Sequence, residues 1–370
     1  MIKSFKYRIR PTKKQATLLK AHIEECRLLY NQLLCARVQA WENAKESLSC
    51  YEQQKSLPLM KRQHPAFAQV YSQVLQQVAV RVDRAFDGFF RRAKAKNGKA
   101  GFPRYKGQNR YDSITYPQFS NGCRLDNKVL RLGKIGCIRI VQHRPIEGIP
   151  KTCTITRSAT GKWYASFSCD MGDAPDKTDD SPAVGIDVGL NSFAVTSDGE
   201  QVTNPRFFRE EEKALSHAQH KWDKVKKRPK TAVVREKRRK VVARVHERIR
   251  NRRHNFAHQQ ARKVVNRHGF VAVEKLEPQN MQKNRRLSKS IADVAWSLFR
   301  HCLEYKAEEA GIGFKAVDPK YTSQTCSGCG IVAKKPLSQR WHKCKCGTSL
   351  DRDHNAAINI LTLGLQSQVT

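Results

Sequence analysis

Val184-Gly-Ile-Asp187-Val-Gly189-Leu-Asn-Ser-Phe-Ala-Val-Thr-Ser-Asp198-Gly199 reads as two apolar strands of a hairpin, with Asp198-Gly199 at a turn, and it opens the second half of the chain. An acid inside such a strand calls for a reason. Asp187, flanked by Gly185 and Gly189, and Glu274, directly after Gly269-Phe-Val-Ala-Val, are both poorly placed in a sheet unless they serve a site at its edge or face. Taken alone, each also reads as an exposed alternate strand position. Farther on, Leu350-Asp351-Arg-Asp353-His-Asn-Ala-Ala brings a further acidic pair to the start of a helix. Two or three carboxylates gathered by a fold are what Mg2+-dependent phosphodiester hydrolysis needs, because each hard cation takes oxygen ligands and must also hold phosphate oxygens and water.

Just before that pair, Cys326-Ser-Gly-Cys329 is followed, after fourteen residues, by Cys344-Lys-Cys346. This spacing fits a four-thiolate tetrahedral zinc ribbon. The second pair has one residue between its thiols instead of two, which leaves His342 as an alternative ligand. Four ligands close the site, so the zinc is expected to be structural. The other eight of the twelve cysteines are scattered without motif spacing and read as reduced thiols.

Seventy Lys plus Arg against 33 Asp plus Glu leave a net charge of +37, which a compact fold tolerates best with a large polyanion bound. Nucleic acid is the expected partner. With 39% hydrophobic residues the chain can still build packed cores. Met1-Ile-Lys-Ser-Phe-Lys lacks the apolar stretch of a secretory signal, and no run approaches the roughly 20 apolar residues that span a bilayer. A cytosolic, nucleoid-associated protein without a membrane partner is expected.

Residues 2–10 alternate, with Phe5, Tyr7 and Ile9 on one face, before Pro11 and Thr12 stop the strand and cap a helix. Leu19, Ile23, Cys26, Tyr30, Leu33 and Leu34 recur at helical spacing, and a second stripe runs Val74, Val78, Val82, Phe86 and Phe89. Gln73, Gln76 and Gln77 lie off that stripe, where side-chain amides can pair with adenine edges, although glutamine on a helix is more often a plain solvated residue. After the Gly-rich, basic loop from Asn97 to Gly107, strand-like runs at Val129, Cys137 and Trp163 indicate a small antiparallel β region, and Asp173 to Pro182 reads as a linker. Between about Arg206 and His268 two helices are expected, parted near Pro229. About half of the section from Lys221 to Arg253 is Lys and Arg, with only Asp223, Glu236 and Glu247 as acids, which points to phosphate-backbone contact.

Taken together, Tyr7-Arg-Ile-Arg-Pro-Thr-Lys-Lys-Gln, Gly101-Phe-Pro-Arg-Tyr, Gly185-Ile-Asp-Val-Gly, Lys283-Asn-Arg-Arg-Leu-Ser-Lys-Ser-Ile, Ala295-Trp296, the cysteine cluster and Asp351-Arg-Asp-His-Asn-Ala-Ala-Ile-Asn-Ile resemble the TnpB family over nearly the whole chain. These are transposon-encoded RNA-guided nucleases related to type V CRISPR effectors. The resemblance implies a mixed α/β multidomain protein. A helical recognition domain (13–107) would be inserted in a β-barrel wedge domain (1–12 and 108–175). After a linker (176–182) would come a RuvC-like nuclease of RNase H fold (183–320 and 348–370), with a basic helical insertion (206–268) and a zinc ribbon (321–347). It places the catalytic Mg2+ ligands on Asp187, Glu274 and Asp353, with Asp351 the rival for the third place.

The resemblance further implies a guide RNA from the transposon end, a double-stranded DNA target cut beside a short flanking motif, retention of the transposon, and a monomer or weak dimer on the RNA. Tyr71, Ser72, Gln73, Gln76 and Gln77 are the candidates for motif contacts. Arg104, Lys224, Lys227, Arg238, Arg239, Arg252, Arg253, Arg285 and Arg286 are the candidates for phosphate contacts. The competing readings are a transposase of the RNase H fold and a guided DNA-binding repressor that does not cut.

Overall fold

Strand β1 (Ile2–Arg10) alternates as expected, with Phe5, Tyr7 and Ile9 at or below 1% exposure. Thr12 then caps α1 (Lys13–Ala44) in a capping box with Gln15, and the apolar stripe of this helix is buried from Leu19 to Leu34. Helices α2 (Cys50–Gln63), α3 (Pro65–Ala68) and α4 (Ser72–Lys94) follow. Strands β2 (Ser113–Tyr116), β3 (Cys123–Asp126), β4 (Val129–Leu132), β5 (Gly136–Val141), β6 (Ile149–Arg157) and β7 (Trp163–Asp170) complete the first of two compact units, Met1–Gly172. This computed structural model describes residues 1–95, 100–173, 175, 181–226, 232–336 and 338–367.

The seven strands form one antiparallel sheet in the order β2-β6-β7-β1-β5-β4-β3. Its centre is β1, so the helices α1 to α4 are an insertion between the first strand and the six that pair around it. On α4, Val74, Val78 and Val82 are buried, whereas Phe86 and Phe89 are only partly covered and pack edge to face against Phe102.

The second unit, Asp173–Thr370, is built on a five-stranded sheet. Its elements are β8 (Ala183–Asp187), β9 (Ser192–Thr196), β10 (Gln201–Thr203), α5 (Phe207–Lys226), α6 (Ala232–Val265), β11 (Phe270–Glu274), α7 (Pro278–Met281), α8 (Ser288–Val294), α9 (Trp296–Ala310), β12 (Gly313–Val317), β13 (Trp341–Lys343), β14 (Ser349–Asp351) and α10 (Arg352–Gln366). The order is β10-β9-β8-β11-β12, an antiparallel meander extended by two parallel strands. Strands β8 and β9 pair antiparallel as expected, and the turn at Asp198-Gly199, where Gly199 has φ +85°, leads on from β9 to a third strand, β10. Strand β10 is three residues long with two exposed ends, so it carries no apolar period by which a sequence could reveal it.

Strand alternation divides the sheet residues between two faces. Val184, Ile186, Val271 and Val273 pack with Ala257 and Ala261 of α6 and with Phe299, Cys302 and Leu303 of α9. Residues of the other parity, Phe270 and Ala272, pack with Ile360 of α10. The expected break at Pro229 lies outside the described residues, as do residues 176–180 of the linker.

Candidate active site and zinc centre

Asp187 ends β8 and Glu274 ends β11, and these strands are parallel neighbours with Val273 opposite Ile186. Continuing that register by one residue sets the two acids side by side at the carboxyl ends of adjacent strands. The strand order also reverses there, β9 following on one side of β8 and β11 on the other, the place in an open α/β sheet where ligands bind. Both have the parity of Gly185 and Ala272, so they lie on the face that α10 covers.

The approach of α10 to that face is unusually close. A Cβ at Gly185 would stand 2.1 Å from the Ala357 carbonyl oxygen, and one at Gly364 would stand 2.5 Å from the Ala272 Cβ. Helix and sheet meet backbone to backbone, and this brings Asp353, in the first turn of α10, to the strand ends. Burial first, then the carboxylates of Glu274 and Asp353, hold Asp187 well above the usual carboxylate range. Burial also raises Glu274, aided by Asp353 and opposed by a hydrogen bond from Thr322. Asp353 is raised by burial and by Asp351, against Arg340 and Arg352.

Glu274 is buried while Asp187 and Asp353 are only partly covered, and the repulsion among the three carboxylates is one that the charge of a hard divalent cation would offset. Asp351 has a different task. It is the N-cap of α10, its carboxylate accepting the amide N–H groups of Asp353 at 2.9 Å and His354 at 3.3 Å.

The four cysteine Sγ atoms all lie within 4.8 Å of one another, with Cys326 to Cys346 and Cys329 to Cys344 each at 3.6 Å. A regular tetrahedron with Zn–S bonds of about 2.3 Å has edges of about 3.8 Å, so the group is of the size that zinc takes. Each half is a tight turn. The Gly330 amide returns to the Cys326 carbonyl and the Gly347 amide to that of Cys344, and both glycines have positive φ. The single-residue spacing of Cys344 and Cys346 is therefore no obstacle. His342 stays outside the group, buried at 1% exposure with neither ring nitrogen hydrogen-bonded.

Sequence reasoning missed four residues here. Arg340 places a guanidinium nitrogen 3.8 Å from the Asp353 carboxylate. Thr322 donates to Glu274, while Asn355 and Asn359 tie α10 to the loop that carries Thr322. The i, i+4 spacing of Asn355 and Asn359 on one apolar helix was the available signal. Arg340 and Thr322 carry none.

The nucleic-acid candidates divide by what they touch. Tyr71 joins α4 to the seven-stranded sheet. Its ring stacks on Tyr116 and covers Gly122 and Gly133, where a Cβ would stand 2.3 and 2.9 Å from it, and its hydroxyl donates to Asn121. Ser72 accepts from Lys61, and Gln73 donates to Gln118. Gln76 is exposed and Gln77 half-buried.

Along α6 part of the basic charge is met by acids from other elements. Arg248 pairs with Glu211, Arg252 with Glu210, and Arg253 with Asp293, a carboxylate only 5% exposed that also accepts the Phe208 amide. Asp293 of α8 thus ties Arg253 of α6 to the start of α5, and Arg239 is held by Glu236 three residues before it. Arg104, Lys224, Arg238, Arg285 and Arg286 are exposed and have no acidic partner among the described residues. Lys227 lies outside those residues.

Comparison with other proteins decides the family. Over 373 residues the chain is 36% identical to a Streptomyces pristinaespiralis protein named "Putative RNA-guided DNA endonuclease", covering 98% of this chain and 89% of that one. The chain belongs to the TnpB family. Another member, "Putative RNA-guided DNA endonuclease InsQ" of Escherichia coli (strain K12), is 29% identical over 98% of this chain and 92% of its own length.

Residues 296–360 match the model of the Cas12f1-like TNB domain, and residues 166–285 match a family described as "Probable transposase". A model described as a helix-turn-helix domain matches residues 1–46, which here form β1 and the single long helix α1. The cryo-EM structure of a Cas12f1-sgRNA-target DNA complex aligns with 94% of this chain and 83% of the matched chain, with a TM-score of 0.61 at 15% identity. The TnpB chain and Cas12f1 therefore share a fold. Among the described residues no helix is long and apolar enough to cross a membrane.

Proposed function

We propose that this protein is a transposon-encoded, RNA-guided endonuclease that cuts double-stranded DNA, with Asp187, Glu274 and Asp353 as its catalytic carboxylates on a RuvC-like nuclease unit. The observation that carries this reading is the convergence of those three acids at the carboxyl ends of β8 and β11 under the start of α10, each raised above its usual range by burial and a neighbouring carboxylate. Among the described residues only Asp353 of the three has an ion-pair partner, Arg340 at 3.8 Å, and in a protein of net charge +37 the three acids form an anionic site suited to divalent cations and hence to phosphate.

Asp187, Glu274 and Asp353 would hold two Mg2+ ions, which when bound would supply charge neutralisation at the scissile phosphate and a more acidic water. The protein's own part is to present the three carboxylates from rigid elements. Cleavage then leaves a 5'-phosphate and a 3'-hydroxyl. Guide pairing reads the target sequence, and the protein reads a short flanking duplex motif and holds the heteroduplex by its backbone. Gln76, exposed, and Gln77, half-buried, are the candidates for the motif, and Arg104, Lys224, Arg238, Arg285 and Arg286 are the candidates for phosphates. Zinc on the four cysteines is structural. In its host element the enzyme would cut sites the transposon has left and so favour its retention, acting in the cytosol at the nucleoid as a monomer or weak dimer on the RNA.

The test starts from protein expressed with its native locus, whose co-purified RNA is sequenced and used as guide. Wild-type protein should cut a plasmid carrying the guide match beside a permissive motif. Asp187→Ala should bind the same RNA and DNA without cutting, and undiminished cutting by it refutes the assignment. Strand joining of transposon ends by the pure protein would instead establish a transposase.

A further inference from the structure

The Thr322 hydroxyl donates to Oε1 of Glu274 at 2.5 Å, and both residues are buried, at 4% and 9% exposure. The same hydroxyl is 3.1 Å from the Pro319 carbonyl, but it has one proton to give, and the nearer, charged carboxylate is the stronger acceptor. Thr322 stands on neither sheet nor helix. It sits in the loop from β12 to the first cysteine pair, and α10 fixes that loop. Asn359 Nδ2 donates to the carbonyls of Thr322 and Thr325, both at 2.8 Å. Asn355 Nδ2 donates to the Thr325 carbonyl at 2.8 Å, and its Oδ1 accepts the amide of Ser327, between Cys326 and Cys329, at 3.0 Å. Asn355 is fully buried and Asn359 is 9% exposed. Helix α10 thus carries Asp353 in its first turn and, one turn on, the clamp for the loop that holds Glu274.

Resting on the hydrolytic reading above, we propose that Thr322 is a positioning residue for Glu274, held in place by Asn355, Asn359 and the cysteine knuckle, so that the four-cysteine site acts on the reaction through the orientation of this one carboxylate. A glutamate side chain at a strand end has several rotamers open to it. A buried hydroxyl on one oxygen selects among them, as outer-shell partners do for metal-ligating carboxylates, where their loss typically costs about 10- to 100-fold in metal affinity or activity.

The experiment uses the full chain with its guide RNA and compares Thr322→Val with Thr322→Ser. Single-turnover cleavage, target binding, zinc content and Mn2+ affinity by calorimetry are measured on each. Thr322→Val should cut about 10- to 100-fold more slowly and bind Mn2+ more weakly by a similar factor, with zinc content and target binding unchanged. Thr322→Ser, which keeps the hydroxyl, should restore both.

The inference is overturned if Thr322→Val cuts and binds Mn2+ like wild type, if Thr322→Ser is as impaired as Thr322→Val, or if zinc or target binding falls along with the rate. Failure of the wild-type protein to cut any guided target would strike the nuclease reading instead. The Mn2+ comparison would then still decide whether Thr322 orients Glu274.

Discussion

Asp351 and Asp353, two residues apart, are divided in role by the helix they open: Asp351 accepts the Asp353 amide at 2.9 Å as the N-cap of α10, which leaves the Asp353 side chain to join Glu274 and Asp187. Their substitutions should therefore separate. Asp353→Asn should lower cleavage on the order of 10^3-fold or more with little change in Tm, since several kcal/mol of charge stabilisation are lost at about 1.4 kcal/mol per tenfold. Asp351→Ala should cost about 1 kcal/mol of stability and retain measurable cleavage. Equal loss of cleavage in both, at unchanged Tm, would assign Asp351 to the catalytic set.

The acids also govern stability without metal. Asp187, Glu274 and Asp353 have folded-state pKa values above their usual ones, so the native state binds protons more tightly than the unfolded chain. Native stability is then fullest below the usual carboxylate range and declines as pH rises through the raised folded values. At pH 7 in chelator, Asp187→Asn should raise the melting temperature, each kcal/mol gained being worth about 2–4 °C in a domain of this size. The gain should shrink as pH is lowered towards the usual carboxylate value, where the wild-type acid is also neutral. Lower stability of the variant at pH 7, measured by calorimetry, would contradict the repulsive site.

Backbone contact between α10 and the sheet depends on Gly185. Gly185→Ala puts a methyl 2.1 Å from the Ala357 carbonyl, so the helix must shift, at a cost of about 1–3 kcal/mol or more. Because Asp353 travels with α10, cleavage should fall as well. Thermal melting and single-turnover cleavage together check this, and a variant with native Tm and rate would show that the helix can yield.

Zinc should be present at one ion per chain. Its removal, or Cys344→Ser, should unfold the β13–β14 region and lower the stability of the second unit, because ligand assembly supplies folding free energy directly. Metal analysis and melting curves with and without chelator are the measurements. His342→Ala should leave the zinc in place, since the four thiols close the group without it.

Lys224 and Arg238 are exposed without an acidic partner among the described residues, whereas Arg253 is tied to Asp293. Replacing either of the first two with Gln should weaken guide or target binding uniformly across sequences and reduce the salt slope by about one counterion. Arg253→Gln should chiefly lower Tm, because it strands a buried carboxylate. Titrations at several salt concentrations distinguish the two behaviours.

What this sequence determined by itself was whatever rests on local period and spacing. The alternation of Phe5, Tyr7 and Ile9 marked β1, the stripe from Leu19 to Leu34 marked α1, and the spacing of four cysteines marked the metal group. The oddity of acids in apolar strands singled out Asp187 and Glu274, because burial of a charge is costly wherever the strand goes. Only the tertiary structure decided the rest. Arg340 reaches Asp353 across thirteen residues and Thr322 reaches Glu274 across 48, contacts that no period encodes. The acids that pair with Arg248, Arg252 and Arg253 come from α5 and α8, so α6 read alone looked more one-sided in charge than it is. Local pattern is fixed by backbone geometry, which repeats along the chain, whereas a side chain's partners are fixed by which elements pack together, and that is a property of the whole fold.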